Sequence, residues 1–304
     1  MYKVNIDKVR LCFSYSPQLF EDLTEFDEIP CEGVILRVKN RDGRIIDENG
    51  KITYTAIKAS VETPNNIGDF CFYNSLRWRY KCFFTANNKA LYTSIGKYPP
   101  EFINTEFSYI MPIAESLNLT LCTITQIDLA LDVKCNPVSR VRKLIKSKDY
   151  DLILNNKKVT DFQQTLDNYG EFYTRNRQRI AKTPTLYLNM ANSENVSLKI
   201  YNKQQEITDN PYKQYIADFN NFPKNFWRLE TTIKNDDVKM WVDHCKNAED
   251  ELLKTDDIKH TLYRLDANDY RLNLWRYETN RLIHFVRRRD RKQIDLFDVV
   301  NGDF

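Results

Sequence analysis

Two short stretches of the sequence carry side chains suited to chemistry on a phosphodiester. Residues 196–206 alternate between apolar and polar side chains and hold a Tyr-Asn-Lys cluster that contains Tyr201 and Lys203. Residues 226–234 alternate in the same way and place Glu230 among basic residues on their polar face. Alternation with a period of two predicts half-buried strands. If both strands belong to one sheet, a tyrosine, a carboxylate and several cations share one polar face.

Such a face has the parts needed to cleave a DNA strand by transesterification. A tyrosine hydroxyl can attack phosphorus and form a 5′-phosphotyrosine, and the released 3′-hydroxyl can then prime synthesis. Because the bond energy is kept in the ester, the strand can be rejoined without ATP. A free tyrosine has a pKa of about 10, so a neighbouring group must lower that pKa or accept the proton. The chain holds 18 tyrosines, and by pattern alone Tyr201 would be an ordinary tyrosine of a sheet.

A third stretch, residues 120–133, has the strongest strand pattern of the chain and carries Asp128 and Asp132 on one face. A buried carboxylate requires a partner. A metal ion or an arginine would be such a partner. The pattern by itself favours the structural interpretation, in which arginine or backbone amides hold the two aspartates.

The order of these motifs resembles the replication-initiation-factor family, which includes initiators of rolling-circle plasmids of the pT181 type. Some filamentous-phage initiators and relaxases of integrative conjugative elements also belong to that family. Residues 200–206 resemble its (Ile/Arg)-x-Tyr-(Asn/Asp)-Lys motif, and residues 227–234 resemble its Arg-Val-Glu-x-Glu-x-Lys motif. Residues 126–132 resemble its Arg-Leu-Asp-Leu-Ala-Phe-Asp strand, and the matching motifs span residues 126–245.

The resemblance implies roles for five residues. Tyr201 is the nucleophile for DNA nicking, with Glu230 and Lys203 as its catalytic partners. A bound Mg²⁺ or Mn²⁺ ion is held by Asp128, Asp132 and Glu230, since both ions favour oxygen ligands.

Basic residues are clustered as a phosphate-contacting surface requires, although the net charge is only +3. The residues predicted to contact DNA are Arg175, Arg177, Arg179, Arg228, Lys234, Arg287, Arg288 and Arg289. The last three are assigned by region, because the resemblance places origin discrimination in the C-terminal part, and we expect them on a basic helix. The resemblance also implies an origin DNA that is single-stranded or a hairpin at the nick site, a homodimer, and a host helicase as a partner.

The elements that must position these groups predict an α+β fold. Strand patterns recur through the first 90 residues and again in the motif stretches, which predicts a mostly antiparallel sheet. Helical patterns cover residues 101–119 and 256–290. We therefore predict a catalytic domain over residues 1–235 and a helical C-terminal region for DNA recognition or docking over residues 236–304.

Composition excludes several classes of protein. Hydrophobic residues make up 42% and charged residues 29% of the chain, as is typical of soluble globular proteins. No Walker-type phosphate loop occurs, so the chain is not a P-loop motor. The seven cysteines include no Cys-x-x-Cys pair and the three histidines no His-x-His pair, which argues against a zinc ribbon or a two-histidine metal site. No apolar run has the length of a signal peptide or a membrane span, and we expect a cytoplasmic protein with no membrane partner.

The leading prediction is a metal-dependent enzyme that nicks and rejoins one DNA strand at a replication origin and so primes rolling-circle replication. A conjugative relaxase with the same chemistry is a near alternative. A non-catalytic DNA-binding replication or regulatory protein is a second, because two positions depart from the family pattern: Asn189 replaces a glycine and Thr232 replaces an acid. A protein without a nucleic-acid role is a third, and it fits the near-neutral charge.

Overall fold

The structure is a computed structural model that describes residues 2–31, 33–46, 48–63, 65–92, 110–159, 172–173, 185–189, 195–221, 225–251 and 253–304. In chain order the strands are β1 (Val4–Ser14), β2 (Glu28–Cys31), β3 (Val34–Asp42), β4 (Ile45–Ile46), β5 (Ile52–Thr53), β6 (Ala56–Thr63), β7 (Asn65–Tyr73), β8 (Lys81–Ala86), β9 (Thr120–Val133), β10 (Tyr150–Leu154), β11 (Lys157–Lys158), β12 (Phe172–Tyr173), β13 (Thr185–Asn189), β14 (Val196–Asn202), β15 (Trp227–Lys234), β16 (Ile283–Arg287) and β17 (Gln293–Ile294). The helices are α1 (Pro17–Glu25), α2 (Asn88–Tyr92), α3 (Ile110–Ser116), α4 (Pro137–Lys146), α5 (Lys203–Asp209), α6 (Gln214–Asn220), α7 (Asn235–Lys246), α8 (Ile258–Arg264), α9 (Asn268–Leu282) and α10 (Leu296–Asn301).

The chain forms two compact units, and β1 and β9 each contribute residues to both. The first, which we call the meander unit, comprises residues Ile6–Ile127 and Thr255–Asp266. Its strands follow the order β9-β1-β8-β7-β6-β3-β2, and the pairings from β1 through to β2 are antiparallel. This is the antiparallel meander that the strand patterns predict.

Aromatic residues fill the core of the meander unit. Phe13, Phe70 and Phe84 are fully buried, and the rings of Phe70 and Phe84 lie 5.0 Å apart between centroids. Gly68 on β7 makes this packing possible, because a Cβ atom there would lie 2.3 Å from the Phe84 ring. The strand therefore needs a residue without a side chain at that position.

The second unit, which we call the motif unit, comprises Met1–Asn5, Asp128–Lys254 and Ala267–Phe304. Its main sheet has the order β12-β13-β14-β15-β9, and β12 to β15 pair antiparallel. A four-stranded sheet of order β11-β10-β16-β17 lies in the same unit. The α+β class with a mostly antiparallel sheet is confirmed by this architecture.

The C-terminal region is helical only in part. Residues 258–264 and 268–282 form helices as predicted, but the helix predicted through residue 290 is wrong. Residues 283–287 instead form β16, which pairs with β10, and residues 288–290 form a turn. The strand forms because Ile283 and Phe285, both buried, alternate with more exposed neighbours once β10 supplies a hydrogen-bonding partner. Of the helix predicted over 101–119, residues 110–116 form α3, and residues 101–109 lie outside the described residues.

The predicted division at residue 235 does not coincide with the two compact units. Residues 267–304 belong to the motif unit because β16 pairs with β10 and α10 packs in the same unit, where Leu296 and Val299 are fully buried. The proposed functional labels for 1–235 and 236–304 stay predictions. Within the described part of the chain, no helix combines the length and the apolar character that crossing a bilayer requires.

A buried hydrogen bond in the motif unit allows a test of this packing. Trp241 on α7 donates from Nε1 to the hydroxyl oxygen of Tyr270 on α9 at 2.9 Å, and both side chains are buried. Replacing Tyr270 by Phe leaves the indole N–H without this acceptor, and we expect it to lower the free energy of unfolding by about 1–3 kcal/mol in urea titrations. Tyr263→Phe, at an exposed tyrosine, should change it by less than about 0.5 kcal/mol. Equal effects of the two substitutions would contradict the predicted role of this hydrogen bond.

Candidate active site

The pairing of β14 with β15 assembles the predicted polar face. In this antiparallel register Tyr201 lies opposite Arg228, and Lys199 lies opposite Glu230. Directly opposed residues of an antiparallel pair point to the same side of the sheet, so these four side chains share one face. The opposite face carries the fully buried residues Val196, Leu198, Ile200, Leu229 and Ile233.

The Tyr201 hydroxyl lies between a carboxylate and an ammonium group. It donates to Oε2 of Glu230 at 2.7 Å and accepts from Nζ of Lys203 at 3.2 Å. Tyr201 is only 9% exposed, so both contacts lie in a partly dehydrated setting where they are stronger than in water. The three residues predicted as catalytic are therefore brought into direct contact.

Lys203 reaches this hydroxyl because the chain turns into a helix directly after Tyr201. Asn202 is the N-cap of α5, and its side chain accepts from the backbone N–H of Gln205 at 2.9 Å. This capping suits an Asn before the first helical residue. Lys203 is that first residue, and it is 2% exposed. The Tyr-Asn-Lys order thus supplies the hydroxyl, the cap and the cation in turn.

A second carboxylate neutralises the buried Lys203. Its Nζ lies 2.6 Å from Oε2 of Glu206, and Nζ of Lys213 lies 2.7 Å from the other oxygen. Burial raises the pKa of Glu206, but the two ammonium groups outweigh burial and bring that pKa down to about 2. Glu206 is therefore ionised at neutral pH and anchors Lys203 beside Tyr201.

Asp132 and Arg228 form a buried ion pair on the neighbouring strands β9 and β15. The Arg228 guanidinium donates through Nε and Nη2 to the two oxygens of Asp132, both at 2.7 Å, and Arg228 is 0% exposed. Asn220 on α6 also donates to Asp132 Oδ2 at 3.0 Å. The predicted roles of Arg228 as a DNA contact and Asp132 as a metal ligand conflict with this geometry, because each charge is buried and engaged by the other.

The predicted metal ligands do not gather around one point. Among the described residues, no group of three or more His, Cys, Asp or Glu side chains could hold a metal ion. Asp128 is four residues from Asp132 on β9, or about 13 Å along an extended strand. Two aspartates that far apart cannot share an ion whose ligands lie within about 2.6 Å of it. Glu230, the third predicted ligand, accepts the Tyr201 hydroxyl instead.

The remaining predicted DNA contacts lie elsewhere. Lys234 ends β15, six residues or about 20 Å beyond Arg228 along the strand, so it is not beside Tyr201. Arg175, Arg177 and Arg179 lie outside the described residues.

Arg287, Arg288 and Arg289 lie at the end of β16 and in the turn after it, not on a helix. Arg288 donates from Nε to the buried carboxylate of Asp151 at 2.7 Å, and Lys158 Nζ lies 2.9 Å from the second oxygen of Asp151. Arg289 is 76% exposed at its side chain. These cations form an exposed basic group around one buried acid.

Sequence reasoning missed three residues of the site: Lys199, Glu206 and Lys213. Lys199 Nζ lies 5.2 Å from the ring centroid of Tyr201, within the range of cation–π attraction. Glu206 follows Lys203 by three residues, which is the spacing of neighbours on a helix surface. That spacing was a usable signal, whereas the approach of Lys213 depends on how the chain folds back after α5.

The Asp132–Arg228 pair generates a stability prediction. Asp132→Leu leaves a buried guanidinium without its counter-charge, and we expect a loss of about 3–5 kcal/mol in the free energy of unfolding, measured by denaturant titration. The double variant Asp132→Leu/Arg228→Met removes both charges and should lose less than the single variant. Asp243→Asn, in an exposed pair with Lys246, should cost less than about 1 kcal/mol. If the two single substitutions at Asp132 and Arg228 are additive in the double variant, the pair is not the source of the effect.

Comparison with known proteins places the chain in a family. No curated protein matches the sequence. A solved structure described as a rolling circle replication initiator protein from Geobacillus stearothermophilus is similar at 14% identity and a TM-score of 0.49, over 99% of this chain and 96% of that chain. The family model Phage_CRI, which describes the N-terminal part of a replication-associated protein, matches residues 101–254, a little over half of the chain. The predicted relation to replication initiators is thereby confirmed, and the chain belongs to this family of replication-associated proteins.

Proposed function

We propose that the protein nicks and rejoins one DNA strand at a replication origin, with Tyr201 as the nucleophile, and so primes rolling-circle replication. The observation that carries the proposal is the Tyr201 hydroxyl, held between Glu230 at 2.7 Å and Lys203 at 3.2 Å. A nucleophile in contact with a proton acceptor that is itself held in place is the arrangement of a covalent catalyst. Membership in a replication-associated family favours replication over conjugative transfer as the setting.

The nicking step uses the two contacts of the hydroxyl. Tyr201 Oη attacks phosphorus while its proton passes to Glu230 Oε2. The bond between Oη and phosphorus forms, the bond between phosphorus and the 3′ oxygen breaks, and the departing 3′ oxygen takes a proton from solvent. Lys203 stabilises the negative charge that grows on Oη as the proton leaves. Rejoining runs through the same steps in reverse, with the 3′-hydroxyl as nucleophile and Tyr201 as leaving group.

The predicted Mg²⁺ or Mn²⁺ does not fit the residues proposed to hold it. Asp132 is engaged by Arg228 and Asn220, and Asp128 is too distant along β9 to complete a site with it. No step of the proposed reaction is therefore drawn through a metal ion. Whether covalent attachment needs Mg²⁺ or Mn²⁺ is measured directly by repeating the assay below in EDTA. The homodimer, the helicase partner and the cytoplasmic location also stay predictions.

We further propose that the basic group around Asp151 contacts the DNA backbone. Asp151 is buried, and Lys158, Arg288 and Arg291 all direct cationic heads towards it at 2.9, 2.7 and 3.8 Å. The three side chains carry more positive charge than Asp151 neutralises, and each is more than half exposed. Exposed cations held in fixed positions suit phosphate contacts that set the register of DNA on a protein.

Covalent attachment tests the nucleophile. Single strands from the protein's own replicon, labelled at the 3′ end, should yield a labelled band that survives denaturation, because a 5′-phosphotyrosine retains the DNA on the 3′ side of the nick. Tyr201→Phe should abolish this band and leave DNA binding intact. Tyr212→Phe, at an exposed tyrosine of the same unit, is the matched control and should retain the band. Full attachment by Tyr201→Phe would refute the proposed nucleophile, and binding without attachment by the wild type would favour a non-catalytic DNA-binding protein.

Salt dependence tests the basic group. Arg289→Gln/Arg291→Gln removes two cations whose side chains are 76% and 75% exposed. If both contact phosphates, the slope of log K against log salt concentration should become shallower by about 2 and binding should weaken across all sequences. Lys239→Gln/Lys246→Gln removes two exposed lysines of α7 and serves as the charge-matched control. An equal change in both double variants would argue against a specific contact at the Asp151 group.

A further inference from the structure

Lys199 occupies a position in the candidate active site that the proposed chemistry has not used. It lies on β14 two residues before Tyr201, opposite Glu230 on β15 and opposite Tyr187 on β13. Its Nζ lies 5.2 Å from the ring centroid of Tyr201 and 5.5 Å from that of Tyr187. One ammonium group is thus held beside the nucleophile by two aromatic faces and a carboxylate.

The two other cations closest to Tyr201 are already committed. Lys203 is 2% exposed, and it contacts both Glu206 and the Tyr201 hydroxyl. Arg228 is fully buried against Asp132. Lys199, by contrast, is half-buried and retains access to solvent on the face that carries Tyr201.

Lys199 also keeps its charge in this setting. Burial lowers the pKa of Lys199, but the Glu230 carboxylate and the Tyr187 hydroxyl outweigh burial and raise that pKa above its usual value. The ammonium group is therefore protonated at neutral pH.

Attack on a phosphodiester concentrates negative charge on the two nonbridging oxygens, and a fixed cation beside them lowers the barrier. We propose that Lys199 is a catalytic residue that binds a nonbridging oxygen of the scissile phosphate and aligns it with Tyr201 Oη. The inference rests on the proposed function and adds to it the group that receives the phosphate. It assigns distinct roles to two lysines on the same motif: Lys203 stabilises the nucleophile, and Lys199 stabilises the phosphate.

A chemical change in the substrate can be paired with a change in the protein. The rate of covalent attachment is measured in single turnovers for wild type, Lys199→Met and Lys199→Arg. Each enzyme is given a normal strand or a strand whose scissile phosphate is a methylphosphonate, which replaces one charged nonbridging oxygen by a methyl group. Equilibrium binding of the same strands is measured in parallel.

We expect Lys199→Met to slow attachment of the normal strand by about 10²- to 10³-fold, with little change in binding. Lys199→Arg retains the positive charge and should recover part of the rate. The methylphosphonate should slow the wild type strongly but add little in Lys199→Met for at least one stereoisomer, because the interaction has already been removed. Lys239→Met, at an exposed lysine of α7, should match the wild type on both strands.

Two results would overturn the inference while leaving the proposed function standing. One is attachment by Lys199→Met at the wild-type rate. The other is a methylphosphonate penalty of the same size in wild type and Lys199→Met for both stereoisomers, which would mean that Lys199 acts without touching that phosphate. Absence of attachment by the wild type on any origin strand would instead refute the proposed function, and the inference with it.

Discussion

The buried ion pair between Asp132 and Arg228 is the constraint on which the candidate active site depends. Neither charge can be held in the interior alone, so each fixes the other between β9 and β15. Arg228 lies directly opposite Tyr201 in the pairing of β14 with β15. A slip of one residue in that pairing would move Arg228 away from this position and reverse the buried and polar faces. The ion pair therefore holds the register that brings Tyr201 to Glu230.

A second layer of ionic contacts then sets the chemistry at the hydroxyl. Helix α5 begins immediately after Tyr201, which returns Lys203 to the tyrosine, and Glu206 one turn later neutralises that lysine. The donors and acceptors around Tyr201 are thus in place before any substrate binds. Polar groups that are already oriented need no rearrangement when charge develops, and this preorganisation is a large part of electrostatic catalysis.

Much of this arrangement could be predicted from the sequence. The strand over residues 120–133 has the predicted bounds, and the alternation in β14 and β15 places the predicted residues on one polar face. The four-residue spacing of Asp128 and Asp132 already implied that they are too distant for one ion, because a strand has a fixed rise per residue. The strand β16 was harder to foresee, since its partner β10 lies about 130 residues earlier and a local pattern carries no information about such a partner.

The sequence by itself determined the order of the motifs, the faces of the strands and the identity of the tyrosine, the carboxylate and the first lysine. These follow from local periodicity and from residue types, which act over a few neighbouring positions. Only the tertiary structure decided which charge meets which. It paired Arg228 with Asp132 instead of with a phosphate, and it brought Lys213 to Glu206 and Lys199 to the ring of Tyr201. The physical reason is that burial makes each charge require a nearby counter-charge or polar partner, and which partner is nearest depends on packing between segments that are distant in the chain.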